Sequence, residues 1–365
     1  MCPKKRSDWV TFGLIKYYLS EVAFQCVIMD NRLRDFIQNE LCPDGEWKLS
    51  DYMRSILERQ ISRLPKAIVS EDETRYPTTP AGTRAFLDVF FTRHYFQVQD
   101  SLLDYMASDE FMDSLVIGKG QILDVGCGPA VASLAITDML GHILEYFRYA
   151  GGLPRNQALN ITYVLNDTSG ICLGTGQRML TDYFHICRSA MRMRTICIQE
   201  PFPSNMKQLR RIRNNSSAHN IAVFSYVAVP ASEEEGFGSF IHGLRDIEDL
   251  CCTNGRILLL QDKFHTALVQ KISRAIEVSS QKAKLTQTIY PRRNTNDSYT
   301  YSYYRYLYAP RNRVEAENYI DKKSVKLNRR LGCYNSLDMD NFPAEKIFSK
   351  NNNVLLRTGK SFRHL

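Results

Sequence analysis

Ten residues, Gln121-Ile-Leu-Asp-Val-Gly-Cys-Gly-Pro-Ala130, narrow the possible folds more than any other stretch. Ile122, Leu123 and Val125 form a short apolar run with a β-branched bias, the pattern of a buried strand. Gly126 and Gly128 then let the backbone turn tightly and expose amide groups without Cβ obstruction. Pro129 suits the first position of a helix, where its missing N–H costs nothing. Val131, Leu134, Ala135 and Met139 continue at helical spacing to about Tyr149. Strand, glycine turn and helix in this order form the unit that opens a nucleotide-binding α/β sheet.

A dinucleotide site asks for Gly-x-Gly-x-x-Gly or Ala, and an acid about 20 residues later at a strand end. Here Val131 stands at the third glycine position, and no acid ends a strand at that distance, so the fit is poor. The stretch resembles instead the first motif of class I S-adenosylmethionine-dependent methyltransferases, in which the Leu-Asp-Val-Gly-Cys-Gly-Pro form is common. That resemblance implies an α/β fold, a Rossmann-like seven-stranded, mostly parallel sheet flanked by helices, with an N-terminal all-helical extension. It also implies that Asp124 helps hold the turn and the amino-acid end of the cofactor, with Gly126, Cys127 and Gly128 forming the turn.

The remaining strands follow from composition. Ile161-Thr-Tyr-Val-Leu165 has the β-branched and aromatic content of a second strand and ends at Asn166-Asp167-Thr168-Ser169. In the family an acid at this tip accepts hydrogen bonds from both ribose hydroxyls, and a carboxylate offers two acceptor oxygens to a diol. This role falls to Asp167, with Thr168 beside it; a helix N-cap for 170–189 is the plainer alternative. Thr195–Ile198 is a short third strand; in the family an acidic or amide side chain at its tip, here Gln199 or Glu200, meets the adenine amino group, and Glu200 is taken as the candidate. Residues 220–228 read as a fourth strand, and in the family the C-terminal end of this strand, here at Ser225, faces the transferred methyl group. The Asn/Asp-Pro-Pro-Tyr/Phe signature of base amino-methylation is missing from Phe224-Ser225-Tyr226-Val227, as is a nucleophilic cysteine for carbon-5 methylation of cytosine.

Around this centre the chain reads as three regions: a helical 1–115, an α/β domain over 116–310 and a basic extension over 311–365. Apolar residues from Trp9 to Met29 recur every three to four positions, and a second helix begins at Ser50/Asp51. The spacing predicts a third helix over 84–112, buried on two sides; in the family a helix at this place often lies across the cleft, which makes Arg93, His94, Tyr95 and Gln97 candidates for lining it, with polar packing against the sheet or solvent the alternative. Glu233–Gly238 reads as an acidic loop, followed by a helix over 244–250. Thr253-Asn-Gly255 reads as a turn into an apolar fifth strand that leads to Asp262 and His265. A helix is expected from Thr266 to about Lys284, then a tyrosine-rich strand over 299–308 whose phase switch suggests a bulge or a strand wetted on both faces.

A net charge of +8 is compatible with an RNA partner without requiring one, and Lys207, Arg210, Arg211 and Arg213 are ordinarily a solvated helix face. Ten cysteines without a Cys-x-x-Cys pair indicate neither a zinc site nor a disulfide framework, so no metal is expected and an intracellular setting, cytoplasmic or nuclear, is. Lys16 and Glu21 interrupt the first apolar run, so no signal peptide or membrane span is expected. The resemblance implies a methyltransferase using S-adenosyl-L-methionine on RNA or a small molecule. The competing readings are a methyltransferase-like binding or scaffold protein without turnover and, less favoured, a nicotinamide-dependent oxidoreductase. Oligomeric state is open.

Overall fold

The computed structural model describes residues 32–43, 47–108, 111, 119–149, 159–187, 191–215, 218–227, 234–262, 266–279, 284–289 and 303–308. Among the described residues four helices precede the first strand: α1 (Arg32–Leu41), α2 (Asp51–Ser62), α3 (Glu71–Arg75) and α4 (Pro80–Met106). Strands and helices then alternate as β1 (Lys119–Val125), α5 (Val131–Tyr149), β2 (Leu159–Asn166), α6 (Gly170–Cys187), β3 (Met191–Ile198) and α7 (Met206–Asn215). β4 (His219–Ser225), α8 (Glu234–Leu250), β5 (Cys251–Asp262), α9 (Thr266–Ser279), β6 (Lys284–Ile289) and β7 (Tyr303–Tyr308) complete the order.

The seven strands form one sheet in the order β3-β2-β1-β4-β5-β7-β6. Pairs among β1 to β5 are parallel, while β7 runs antiparallel to both β5 and β6. The Rossmann-like, mostly parallel seven-stranded sheet is therefore the observed fold. Strand order reverses between β1 and β4, and a doubly wound sheet opens its ligand crevice at the carboxyl ends of the strands at such a point.

Side chains alternate across the strands and so define two apolar layers. Ile122, Ile221, Val223, Leu258 and Leu260 pack into a core shared with α1, α2, α4, α5 and α6. Leu123, Val125, Ala222, Phe224, Ile257 and Leu259 face the other way, onto α7, α8 and α9. The N-terminal helices thus share the main core with the sheet.

Helix α4 holds this assembly together. From Tyr95 to Met106 nearly every residue is buried, including Gln97, Gln99 and Ser101. Its start is fixed by chemistry: Pro80 occupies the first turn and Thr79 Oγ1 accepts the Gly82 amide at 3.0 Å. Glu73 of α3 accepts the Thr79 amide and hydroxyl, both at 2.7 Å, so one carboxylate fastens the entry to α4. On α5, the buried Asp138 accepts hydrogen bonds from Tyr95 at 2.8 Å, Gln99 at 3.2 Å and Tyr183 at 3.3 Å, and from Tyr52. One carboxylate therefore joins α2, α4 and α6 to α5.

Several expectations need correction. Pro129 does not open a helix: Ala130 takes a left-handed φ of 59°, and α5 starts at Val131. α4 begins at Pro80 and ends at Met106, because the Thr79 cap acts one turn before Arg84. Glu234–Gly238 is the first part of α8; glutamates near a helix N-terminus are favoured by the helix dipole, which outweighs two glycines. Thr253–Gly255 lies within β5, where a register shift opposite His219 and Ile221 takes up the irregularity. Gly255 fits this place because a Cβ would lie 2.8 Å from the His219 carbonyl oxygen. The stretch 284–289 is a strand, β6, and the β7 register runs without a bulge. The expected segments at 8–31, 150–158 and 311–365, and His265, lie outside the described residues.

Candidate functional site

The glycine turn rises from β1 into α5 by three left-handed residues, Gly126 (φ 60°), Gly128 (φ 52°) and Ala130 (φ 59°). At Gly126 the glycine is required twice over, since a Cβ would also come within 1.9 Å of Val227 Cγ1. Asp124 supports the turn from below. Its Oδ2 accepts the Ser133 amide at 3.1 Å and the Ser133 hydroxyl at 2.7 Å, tying β1 to the first turn of α5. Its Oδ1 is buried without a hydrogen-bond partner. Burial, and to a lesser degree the charge of Asp167, pushes this carboxyl up to about 7 even though Ser133 pulls it down.

Asp167 leaves β2 and bridges to the same turn. Its Oδ2 accepts the Gly128 amide at 2.8 Å and its Oδ1 the Ser169 amide at 2.8 Å. The helix cap is Ser169, whose hydroxyl accepts the Cys172 amide at 3.3 Å, so Asp167 is not itself the N-cap. Each Asp167 oxygen keeps a second lone pair for a further donor. Burial raises its pKa, and the backbone amides of Ser169, Gly128 and Thr168 oppose that rise. Cys127 is buried in the turn, which lifts its thiol far above its ordinary value and makes it an inert wall.

Asn166 was not singled out in the sequence reading. Its side-chain amide donates to the Ile198 carbonyl at 3.1 Å and the Glu200 carbonyl at 2.7 Å, so the tips of β2 and β3 are locked together. This presents Glu200 to the cleft, where its carboxylate also accepts from Gln208. Gln199 turns away to donate to the Thr168 carbonyl at 3.2 Å.

A cavity of about 810 Å³ covers these strand tips. Asp124, Gly126, Cys127, Gly128, Asp167, Thr168, Glu200 and Ser225 all line it. The fold thus brings every cofactor candidate of the sequence reading to one surface. The opposite wall comes from α4, where Phe86, Phe90 and His94 recur at four-residue spacing. A Cβ on Gly128 would touch Phe86 at 3.8 Å, so α4 crosses directly over the turn. His94 stacks on Tyr226 with centroids 4.2 Å apart, and the Arg93 guanidinium lies 5.9 Å from that ring. Tyr226 holds a left-handed φ of 62°, its amide donates to the Leu260 carbonyl at 3.0 Å, and its hydroxyl donates to Gln97. Of the four α4 candidates, Arg93 and His94 line the cleft, Gln97 braces Tyr226, and Tyr95 points to Asp138.

The residues fit a nucleoside-type cofactor with a cationic amino-acid arm. A buried carboxylate oxygen without a partner on Asp124 is what an ammonium group satisfies, and Asp167 offers paired acceptors to a diol.

No family model matches the chain, and no curated protein matches it. Solved structures do resemble it, and among them are methyltransferases. Precorrin-6y C5,15-methyltransferase from Geobacter metallireducens GS-15 has 9% identity over 67% of this chain and 98% of its own, with a TM-score of 0.37. N-methyltransferase NodS from Bradyrhizobium japonicum WM9 has 10% identity over 61% and 98%, with a TM-score of 0.34. Likeness at this level carries no residue role across, and the fold stands on its own strand order and pairing. Among the described residues no helix is long and apolar enough to cross a membrane.

Proposed function

We propose that this chain is an S-adenosyl-L-methionine-dependent methyltransferase acting on a small molecule or RNA. One observation carries the reading: Asp124 and Asp167, 43 residues apart in sequence, flank the same two-glycine turn and face the same cavity. When bound, the cofactor supplies an electrophilic methyl on a sulfonium that displacement turns into a neutral thioether.

The chain's own residues bind and align. Asp167 holds the ribose end while its bonds to Gly128 and Ser169 keep the turn in register. Asp124 balances the cationic arm, and Glu200 bounds the adenine end. Ser225 ends β4 and Tyr226 follows it at the floor where the acceptor must arrive, with α4 on the facing wall to align it.

Calorimetric titration with S-adenosylmethionine and S-adenosylhomocysteine tests the reading. Asp167→Ala is expected to weaken both by about tenfold or more, roughly 1.4 kcal/mol. Unchanged affinity discards the site. Binding without methyl transfer to any RNA, protein or small-molecule fraction of an extract supports the scaffold alternative.

A further inference from the structure

Strand β5 is an apolar run that turns polar at the cleft. Ile257 and Leu259 face the α7, α8 and α9 layer, and the two-residue period of a strand puts Gln261 next in that column. Leu258 and Leu260 point the other way, into the main core. Gln261 is 0% exposed to bulk solvent and lines the cavity. Its carboxamide is unengaged at both ends: Nε2 and Oε1 are each buried without a hydrogen-bond partner. Another aliphatic side chain would fill this place and strand nothing, whereas a buried amide without partners is destabilising twice over. Such a group points to a guest that completes it.

The tip of β5 adjoins the tip of β4. Ser225 pairs in register with Leu260, and the Tyr226 amide donates to the Leu260 carbonyl at 3.0 Å, so the next residue, Gln261, is held beside the β4 end. In strand order β5 stands two places from β1 and four from β3, roughly 10 Å and 19 Å at ordinary strand spacing. A nucleoside cofactor laid along the tips of β3, β2 and β1 leaves Gln261 to the acceptor. Rings line the cavity from both layers. Phe202 and Phe240 meet edge to face at 5.9 Å, and His94 stacks on Tyr226 at 4.2 Å. Flat ring faces of this kind suit a planar guest.

We infer that Gln261 selects the methyl acceptor, and that the acceptor is a planar heterocycle with an amide edge, an N–H and a C=O side by side as in a lactam or pyrimidinone ring. The inference rests on the cofactor reading above and names the acceptor class for the same cleft. A carboxamide offers a donor and an acceptor together, and another amide edge matches it in two parallel hydrogen bonds. The terminal torsion of glutamine is broad, so the amide plane turns to a guest without leaving its rotamer.

The probes are 2-quinolinone and 1-methyl-2-quinolinone, which lacks the N–H, titrated into the full-length protein with and without saturating S-adenosylhomocysteine. The first is expected to bind about tenfold more tightly or better, because a site built to hydrogen-bond an N–H rejects the analogue without it. Equal binding of the two overturns the inference, and that comparison needs no variant to fold. Gln261→Met should abolish the preference and leave S-adenosylhomocysteine affinity within about twofold. Its urea midpoint should stay level or rise, since no polar atom is left stranded. A clear fall overturns the inference, because the amide would then be engaged within the fold. A preference that survives Gln261→Met also overturns it, as does a loss of S-adenosylhomocysteine equal to the loss of 2-quinolinone, which assigns the amide to the cofactor. Uracil carries the same edge, so a twelve-residue oligouridylate distinguishes the sources: tighter binding than 2-quinolinone assigns the edge to a base of RNA, weaker binding to a free heterocycle. In either case Gln261→Met must weaken the tighter binder, and an unchanged affinity overturns the inference. Failure of the unsubstituted protein to bind S-adenosylhomocysteine removes the cofactor reading alone, because the cofactor-free titration still reports on Gln261.

Discussion

Asp124 is asked to do two things with one carboxylate: brace α5 through Ser133 and keep an oxygen in reserve beneath the cleft. Burial holds its carboxyl up to about 7 from an ordinary 3.8. Between those values the native protein keeps a proton that the unfolded chain has released, so this group lowers stability as pH rises through the window. Urea midpoints taken from about pH 4 to about pH 8 should therefore show a downward contribution that Asp124→Asn removes, and superimposable slopes would refute it. Gly126→Ala carries a different penalty. It places a methyl 1.9 Å from Val227 Cγ1 at a φ of 60°. A loss of about 1–3 kcal/mol is expected by denaturant unfolding, with weakened S-adenosylhomocysteine binding. These residues were legible in the sequence because the turn's requirements are local: strand, acid, two glycines and helix within thirteen positions, 121–133. Asn166 and Tyr226 were harder, since their roles depend on contacts between residues remote in sequence, such as Tyr226 with His94 and Gln97.

Among the elements, α4 links the candidate chemistry to stability. Phe86, Phe90 and His94 of its first two-thirds line the cleft, while most of its residues from Tyr95 to Met106 are buried. Tyr95 and Gln99 anchor it to Asp138, and Tyr52 and Tyr183 complete the set. Removing the shared acceptor strands several buried donors at once. Asp138→Ala should cost about 3 kcal/mol or more, and Tyr95→Phe about 1 kcal/mol, by urea denaturation. A neutral Asp138→Ala would show that the cluster does not hold the helices. The sequence announced the parallel strands because a strand buried on both faces reads as an apolar run, as in Ile257–Leu260. It concealed β6, Lys284-Leu-Thr-Gln-Thr-Ile289, which carries only two aliphatic residues and follows a helix without a strong stop. It also concealed the start of α8, where two glycines mimic a loop.

At the scale of the whole molecule, the sheet divides labour between its faces. Helices α1, α2, α4, α5 and α6 share one core, and α4 from that layer roofs the cleft. The α7, α8 and α9 layer buttresses the other side and contributes Phe240 to the cavity wall. A substitution confined to that second layer, such as Ile247→Ala at a fully buried site, should cost about 2–5 kcal/mol by urea denaturation. It should leave S-adenosylhomocysteine affinity within about twofold, and a larger loss by calorimetry would mean that the two layers are coupled. The order β5-β7-β6 has its own bearing on how the chain is made. β6 emerges from the ribosome before the strand that must lie between it and β5, so neither can find that neighbour until residues 303–308 arrive. During that interval the edge of β5, built from Ile257 to Leu260, is open to any other strand. A chain stopped at 300 should therefore be the most aggregation-prone intermediate of its synthesis, and a nascent chain would be best guarded by a holding chaperone over this last stretch.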